Sequence, residues 1–419
     1  MSDEVLVEEP DDGAPKRRGK SKKRHTIGTV LLASVVVLAV VTGLSVAFLY
    51  RHLNGNITVS DVMDEIDDRP EKVDTGPKEP INVLVLGSDT RSGEGNQIDG
   101  EAGGGVSDTT ILLHLSADRT RAYGISIPRD SLVTRPDCGP KNGIPGGEDQ
   151  MWNAAYALGG EACTVEQFEQ NTGVRVDDFV IVDFAGFQDM VDAVDGVPVC
   201  IPEDIEDPAH GISIPAGDRV LRGKEALNYV RVRYTLGDGS DIGRIKRQQA
   251  FIASMVNKVV SAGTLTRPDR VVSFLNAATK SLTVSPGLKN LSKLAKLGLS
   301  LNEIGLDNVQ FITVPNEYDT REEFRGRVIW SQPEADKLWH KIKNDKPLTK
   351  AMSEDSISAA NPPGSQTPSA TPTETPSSTP SDTASPSQTP SKTPTKTPTK
   401  TQGPTEEEIA EAEANGLCA

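Results

Sequence analysis

Cysteine and histidine are scarce in this sequence, with 4 cysteines and 5 histidines among 419 residues. No histidine stands near a cysteine, which argues against a catalytic thiol activated by a neighbouring imidazole. Basic residues are in the minority, since 44 lysines and arginines accompany 60 aspartates and glutamates and the formal net charge is -16. An acidic chain whose folded part lies outside the cell, as inferred next, is unsuited to binding nucleic acid.

One long run without charge, residues 27–50, lies near the N-terminus. As a helix with a rise of about 1.5 Å per residue it would reach roughly 36 Å, enough to cross a bilayer core of about 30 Å. Seven basic residues in 16–24 precede it, whereas only Arg51 and His52 follow directly. The positive-inside rule therefore predicts a cytoplasmic N-terminus and a single-pass protein of the cell membrane. A cleaved signal peptide is the alternative, which the length of the run and the lack of a nearby small-residue cleavage site disfavour.

Composition divides the chain into segments. Ser, Thr and Pro dominate one late stretch, which cannot bury enough apolar surface to offset the entropy of ordering it. We predict a cytoplasmic tail at 1–26, a transmembrane helix at 27–50, a juxtamembrane spacer at 51–79, a globular extracellular domain at 80–348, a disordered Ser/Thr/Pro-rich region at 349–405 and a short acidic, helical segment at 406–419.

All four cysteines follow the predicted anchor, and an external compartment permits disulfides. Four cysteines allow three pairings, and the sequence does not choose among them. Cys138 and Cys163 are closest in sequence and lie in loop-like surroundings, so we favour a bridge between them. The pairing of Cys200 and Cys418 stays open.

Short apolar runs alternate with helical patterns inside the globular part. Apolar residues at three- and four-residue spacings predict helices over 184–194, 245–262 and 287–305. Strands mixed with helices predict an α/β fold with a mixed central sheet covered by helices on both faces. The predicted strands, each bounded by turn residues, cover 81–87, 109–116, 121–128, 177–184 and 308–315.

Two aspartates stand at the joining ends of consecutive predicted strands. Asp89 lies in "GSDTR" after the first strand, and Asp108 lies in "SDTT", which opens the second. If these strands are neighbours, the two carboxylates could meet and hold a hard cation such as Mg²⁺. The alternative is that each aspartate caps a turn.

Arginines stand at other strand ends. Arg129 in "SIPRDS" follows a predicted strand, and ligands of open α/β sheets bind outside such ends. In "YVRVRY" (229–234), alternation predicts a further strand with Arg231 and Arg233 on one face. A solvent-facing edge strand would explain that pair equally well.

A cationic cluster follows at the start of a predicted helix. Asp241 is the predicted N-cap, after which Arg244, Arg247 and Gln248 share one helical face. Helix N-termini favour anions, and guanidinium groups this close repel each other unless an anion lies between them. A phosphate or pyrophosphate would satisfy them, and salt bridges to the many carboxylates are the alternative. Lys246 points to another side of the helix.

Six motifs occur here in a fixed order over about residues 80–345. The sequence resembles the LytR-CpsA-Psr family in these motifs and in its layout of cytoplasmic tail, membrane helix and external domain. They read "INVLVLGSDTR", "SDTTILLHLS", "GISIPRDS", "NAAYALGG", "ALNYVRVRY" and "SDIGRIKRQQAF".

The resemblance implies an enzyme that transfers a phosphate-linked glycopolymer from a polyprenyl-pyrophosphate carrier to peptidoglycan. Asp89 and Asp108 would hold Mg²⁺ and, with Arg129, form the catalytic centre. An apolar pocket between sheet and helices would take the polyprenyl chain. Asp241 would orient the arginines. The implied pyrophosphate-binding residues are Arg129, Arg231, Arg233, Arg244 and Gln248, with Arg247 as a further candidate.

Two positions depart from the family pattern. The family often has arginine where Val106 stands and a basic residue where Met151 stands, and Arg91 could replace the first. Without these charges the protein could be a non-catalytic binder of lipid-linked wall glycan, or a pyrophosphatase that cleaves the carrier and transfers nothing. The Ser/Thr/Pro-rich region could be a stalk through the wall or a tail with no specific role.

Overall fold

A computed structural model of the protein separates into two compact units, residues 1–52 and 53–419. The residues whose structure is described are 23–88, 107–138, 143–208, 210–232, 236–237, 239–260, 266–363 and 405–418.

The first unit contains most of helix α1, Lys23–Asn56. Its apolar part, from Ile27 on, has a mean hydropathy of 2.6 and is long and apolar enough to cross a membrane. The predicted helix at 27–50 is confirmed, and it extends beyond the uncharged run at both ends.

The second unit is built on an eight-stranded mixed sheet. All five predicted strands are present in it, within a few residues of their predicted bounds. In spatial order the strands are β1 (Thr58–Val59), β12 (Leu282–Val284), β7 (Asp178–Asp183), β2 (Ile81–Ser88), β3 (Ser107–Leu115), β4 (Ala122–Ile127), β13 (Val309–Thr313) and β16 (Ile357–Ser358).

Strand directions within the sheet determine where loops converge. Strand β2 is parallel to β7, β4 is parallel to β13, and β3 runs antiparallel between β2 and β4. Two-stranded antiparallel pairs decorate this sheet: β5 (Leu132–Arg135) with β6 (Gly147–Met151), β8 (Val197–Ile201) with β11 (Gly217–Leu221), β9 (Ile205–Asp207) with β10 (Ile212–Ile214), and β14 (Asn316–Tyr318) with β15 (Val328–Trp330).

The three helices predicted inside the globular part and the C-terminal helix are all present. The strand predicted for "YVRVRY" is wrong, because these residues begin within a helix. The helices of this unit are α2 (Ala154–Thr172), α3 (Phe184–Ala193), α4 (Gly223–Arg231), α5 (Asp241–Val260), α6 (Pro268–Ser281), α7 (Leu291–Ile304), α8 (Glu334–Lys343) and α9 (Glu406–Ala414).

Helix α4 takes the first residues of "YVRVRY". Ala226, Leu227 and Tyr229 are buried, a spacing that suits one face of a helix. The N–H of Val232 still donates to the carbonyl of Asn228 at 2.9 Å. Arg231 therefore ends a helix, and Arg233 lies outside the described residues.

Both faces of the sheet are covered by helices, as predicted. On one face, Phe168 of α2 and Trp339 of α8 belong to the same apolar cluster as Leu112 of β3. On the other, Ala253 of α5 and Ile304 of α7 share a cluster with Phe311 of β13. Burial on both sides explains why these strands are apolar along their whole length.

The domain boundaries differ from those predicted. In the predicted spacer, β1 pairs with β12, and the guanidinium of Arg69 bonds both carboxylate oxygens of Glu169, at 2.6 and 3.0 Å. After residue 348, β16 pairs with β13. Disorder is thus the wrong prediction for 349–363, while the rest of the Ser/Thr/Pro-rich region, up to 404, lies outside the described residues.

Two disulfides join the cysteines. Cys138 and Cys163 are bonded, as predicted. The second bond joins Cys200 of β8 to Cys418, at a sequence separation of 218 residues.

A buried histidine of β3 contacts the segment that directly follows α8. His114 is fully buried, with Nδ1 2.7 Å from Asn82 Oδ1 and Nε2 3.3 Å from Asp345 Oδ1. Asp345 also accepts from the N–H of Ala117 at 3.0 Å and from Arg121 at 2.9 Å. Burial acts in the opposite direction, but these hydrogen bonds and charges lower the pKa of Asp345.

Asp345→Asn is expected to make the free energy of unfolding depend less on pH in the acid range. A lowered folded-state pKa means that the unfolded chain binds more protons, so the stabilisation is complete above the unfolded value of about 3.9 and disappears as pH falls through the folded pKa. The variant should therefore be less stable than the wild type at pH 7, by about 1–3 kcal/mol, and the difference should shrink as the pH falls below about 3.9. Thermal melts across this range measure the difference. The exposed Asp307→Asn should follow the wild-type profile.

Candidate active site

Several strand ends converge at one edge of the sheet. Because β2, β4 and β7 point the same way, their carboxyl ends lie there together with the start of the antiparallel β3. The segment after β4 brings Arg129 to this edge, β3 begins with Ser107 and Asp108, and helix α5 begins with Asp241. Ligands bind at such edges in α/β sheets.

Arg129 lies between two carboxylates from different elements. Its Nη1 donates to Asp108 Oδ1 at 2.5 Å, and its Nε lies 3.6 Å from Asp241 Oδ1. The Arg129 and Asp108 side chains are mostly buried but keep about a fifth of their surface exposed, at 17% and 20%. The guanidinium is thus fixed in place and still reachable from solvent.

Helix α5 supplies the second arginine of the site. Arg244 donates from Nη2 to Asp241 Oδ1 one turn earlier, and only 3% of its surface is exposed. Asp241 is the first helical residue rather than the N-cap, because Ser240 Oγ accepts the N–H of Gly243 at 2.9 Å. With Ser240 capping the helix, the Asp241 carboxylate is placed to contact both Arg129 and Arg244.

Sequence reasoning missed Asp130 and Arg327. Asp130 Oδ2 lies 3.7 Å from Arg129 Nε, and its Oδ1 accepts from Arg327 Nη1 at 2.6 Å. The only sequence signal was the position of Asp130 directly after Arg129. Arg327 comes from far along the chain, so nothing local could have placed it here.

Charge and burial oppose each other at these arginines. Burial disfavours the charged form, but the carboxylates of Asp108 and Asp241 outweigh it and raise the pKa of Arg129. Burial lowers the pKa of Arg244, against the attraction of Asp241. Both guanidinium groups stay charged at neutral pH, because arginine does not lose its proton in proteins. Among the described residues, the buried Nε of Arg244 has no hydrogen-bond partner, so these residues compensate its charge incompletely.

Gln248 links two parts of the predicted site. Thr109, next to Asp108, donates from its hydroxyl to Gln248 Oε1 at 3.3 Å. Gln248 Nε2 donates to the carbonyl of Val230 at 3.1 Å, which fixes the end of α4 next to Arg231. The Arg231 guanidinium carbon lies 4.7 Å from the centre of the Phe184 ring. Gln248 thereby connects the strand that carries Asp108 to the helix that carries Arg231.

Arg247 does not face the ligand side as its helical phase suggested. Only 1% of its surface is exposed, and its guanidinium donates to the carbonyls of Val232 and Leu236 at 2.6 and 3.4 Å. These carbonyls belong to the connection between α4 and α5. The structure corrects the prediction of a pyrophosphate ligand, because the charge of Arg247 supports the protein's own backbone.

Other predicted residues are not brought into the described site. Asp89, Arg91, Arg233 and Val106 lie outside the described residues. Met151 ends β6 and pairs with Leu132 of β5. Within the described ranges, no group of three or more His, Cys, Asp and Glu side chains could hold a metal ion. Of the two predicted metal ligands, Asp108 is described and Asp89 is not.

The fold and the motifs at this edge define a family of proteins. Residues 49–344 match the LytR_cpsA_psr family, which is most of the chain. The protein belongs to that family, as the sequence motifs indicated.

Named relatives and a solved structure agree with this assignment. The cell wall biosynthesis protein LcpA of Corynebacterium glutamicum is 32% identical over 262 residues, which are 56% of this chain and 49% of that protein. TagV of Bacillus subtilis, named a polyisoprenyl-teichoic acid–peptidoglycan teichoic acid transferase, is 30% identical over 59% of this chain and 62% of its own length. The chain thus matches about half to three fifths of each relative. The LytR-Csp2A-Psr enzyme of Actinomyces oris has the same fold, with a TM-score of 0.53 at 21% identity, over 68% of this chain and 96% of that one.

Proposed function

We propose that the protein is a transferase that moves a phosphate-linked glycopolymer from a polyprenyl-pyrophosphate carrier to peptidoglycan. The observation that carries this proposal is the pair of arginines, Arg129 and Arg244, held by carboxylates at the strand-end edge. Membership of the family and the activity for which TagV is named point the same way.

The chemistry follows from the way the arginines are held. Phosphoryl transfer requires little covalent participation by the protein, so positioning and neutralising charge provide most of the catalysis. Asp108, Asp130 and Asp241 fix the Arg129 guanidinium before a ligand arrives, so binding an anion costs little reorganisation. Planar guanidinium groups bind phosphate oxygens with two parallel hydrogen bonds, which suits both the carrier pyrophosphate and the charge that develops during transfer.

The proposal includes Mg²⁺, with Asp108 as one ligand and Asp89, outside the described residues, as the other. Carboxylate oxygens suit this ion, and a bound Mg²⁺ would neutralise phosphate charge. We expect chelation with EDTA to stop transfer and added Mg²⁺ to restore it. Asp108→Asn should weaken Mg²⁺ binding, measured by calorimetry without substrate. Undiminished transfer in EDTA would contradict the assignment.

We further propose that helix α1 anchors the protein with its N-terminus in the cytoplasm and residues 53–419 outside. The basic residues before the apolar run support this orientation, and both disulfides suit an external compartment. The polyprenyl chain would enter an apolar pocket between the sheet and its helices.

One assay separates the proposed transferase from its alternatives. The full-length protein in detergent receives Mg²⁺, a polyprenyl-pyrophosphate-linked glycan and a peptidoglycan fragment with a muramic-acid hydroxyl. Glycan covalently attached to the fragment, detected by mass spectrometry, is the expected result. Phosphate release without attachment would identify a pyrophosphatase. Binding of the carrier with no reaction would identify a non-catalytic binder.

A further inference from the structure

We propose that the C-terminal segment 405–418, called here the C-terminal clasp, positions the connection between α4 and α5 for the transfer reaction. The proposal rests on the proposed function, since that connection joins Arg231 to Asp241 and Arg244. The clasp lies outside residues 49–344, the range that matches the family.

The end of α9 has a specific turn that aims the last residues at the domain. Gly416 has a φ of +68°, a conformation that suits glycine. The N–H of Gly416 donates to the backbone carbonyl of Glu413 at 2.8 Å, and the N–H of Leu417 donates to that of Ala412 at 2.8 Å. This pair of bonds is the Schellman arrangement, which ends a helix and directs the next apolar residue inward.

Two anchors then hold the clasp. Leu417 is buried in the same apolar cluster as Ala250 and Ala253 of α5. Cys418 forms a disulfide with Cys200 of β8, so the end of the clasp is covalently attached to the rest of the domain. An apolar anchor and a covalent one, side by side, fix the segment between them.

That segment packs against the connection between α4 and α5. A Cβ on Gly416 would lie 2.8 Å from Leu236 Cγ and 3.1 Å from Arg247 Nη1. A Cβ on Gly237 would overlap the carbonyl oxygen of Ala414. The glycines therefore allow the two backbones to approach more closely than any other residue would.

The connection is thus held from two sides. Arg247 bonds Val232 and Leu236 from within, and the clasp covers Leu236 and Gly237 from outside. Loss of the outer support would let the connection move, and the side chains at its two ends would lose their fixed geometry. Catalysis by positioned charge is sensitive to such shifts. Arg247, Leu236 and the clasp are positioning residues, because they act through this backbone.

Cutting the chain inside 364–404 tests the proposal, because Cys200–Cys418 would then be the clasp's only covalent attachment. A protease site is inserted there in the full-length protein, once with the native cysteines and once with Cys200→Ser and Cys418→Ser. Before cutting, both proteins should transfer glycan, since the tether keeps the clasp at high local concentration. After cutting, the native protein should keep its rate. The serine protein should release the clasp and lose at least tenfold in kcat, with a smaller change in KM for the acceptor. Circular dichroism at the assay temperature checks that both stay folded.

Inorganic pyrophosphate binding provides a readout that does not require transfer. The cut serine protein should bind it at least tenfold more weakly than the cut native protein. If no protein transfers glycan but this difference in binding appears, the proposed function fails and the clasp proposal stands. If the cut serine protein releases its clasp and still matches the native one in kcat and in binding, the clasp proposal is wrong.

Gly416→Ala provides a milder perturbation with the clasp still attached. Its added methyl group would press on Leu236 and Arg247, so kcat should fall severalfold. Gly211→Ala is the matched control, because Gly211 has a similar φ of +65° and a Cβ there meets nothing within 4 Å. Equal kcat for the two variants would count against contact between the clasp and the connection.

Discussion

Arg129→Ala is expected to lower kcat for glycan transfer by about 10²–10³-fold, the usual effect of losing one preorganised charge-stabilising donor. The side chain is held by Asp108 and Asp241 with part of its surface open to solvent, which is the geometry an anion ligand needs. Initial rates at saturating carrier measure the loss. Arg129→Lys keeps the charge but not the planar fork of donors, so it should recover only a small part of the activity.

Arg321→Ala is the matched control for this experiment. Arg321 is also bonded to two aspartates, Asp149 and Asp319, but its side chain is more exposed, at 42% against 17% for Arg129. Its loss should leave transfer unchanged. Full activity in Arg129→Ala would remove this edge of the sheet as the phosphate site.

Arg247→Ala is expected to lower stability, and to weaken ligand binding only indirectly, through the connection that Arg247 supports. The change removes two charge-assisted hydrogen bonds, each worth about 1.5–3 kcal/mol, from a fully packed position, so about 3 kcal/mol or more should be lost. At about 2–4 °C per kcal/mol for a domain of this order of size, the melting temperature should fall by at least about 6 °C. Differential scanning calorimetry of the full-length protein measures it.

The exposed Arg325→Ala should leave the melting temperature unchanged, since 82% of the Arg325 side chain is accessible. The decisive comparison is between melting and pyrophosphate affinity in Arg247→Ala. If affinity collapses while the melting temperature holds, Arg247 does not support the connection and instead contacts the ligand, as its place on the helix first indicated.

The different surroundings of Arg244 and Arg247 show what the sequence could and could not predict. The strands were predictable because a sheet buried on both faces demands unbroken apolar runs, as in 81–87 and 308–315. Helical spacing also placed both arginines near the start of α5. It could not say which neighbours would surround each one. Arg244 meets a carboxylate and Arg247 meets two carbonyls, and that difference comes from how the connection before α5 folds.

Other errors have similar causes. In "YVRVRY", alternation suits a strand, but Tyr229 buries a helical face together with Ala226 and Leu227 and α4 continues through Arg231. Asp130 was overlooked because its partner Arg327 lies almost two hundred positions away. Cys200 and Cys418 could not be paired because the chain between them includes most of the domain. The last two cases involve contacts that are distant in sequence.

The two outermost strands of the sheet are very short, which limits association of the protein through its sheet edges. An unpaired strand exposes hydrogen-bonding groups that can recruit another chain, and short edges limit this aggregation. Here β1 and β16 are two residues long each, although β2 and β3 at the centre have eight and nine. A shortened protein ending at 348, the predicted end of the domain, would lose β16 and leave β13, with five residues, as the edge strand. Such a protein should associate edge to edge, whereas the full-length chain should tolerate the high local density of a membrane surface.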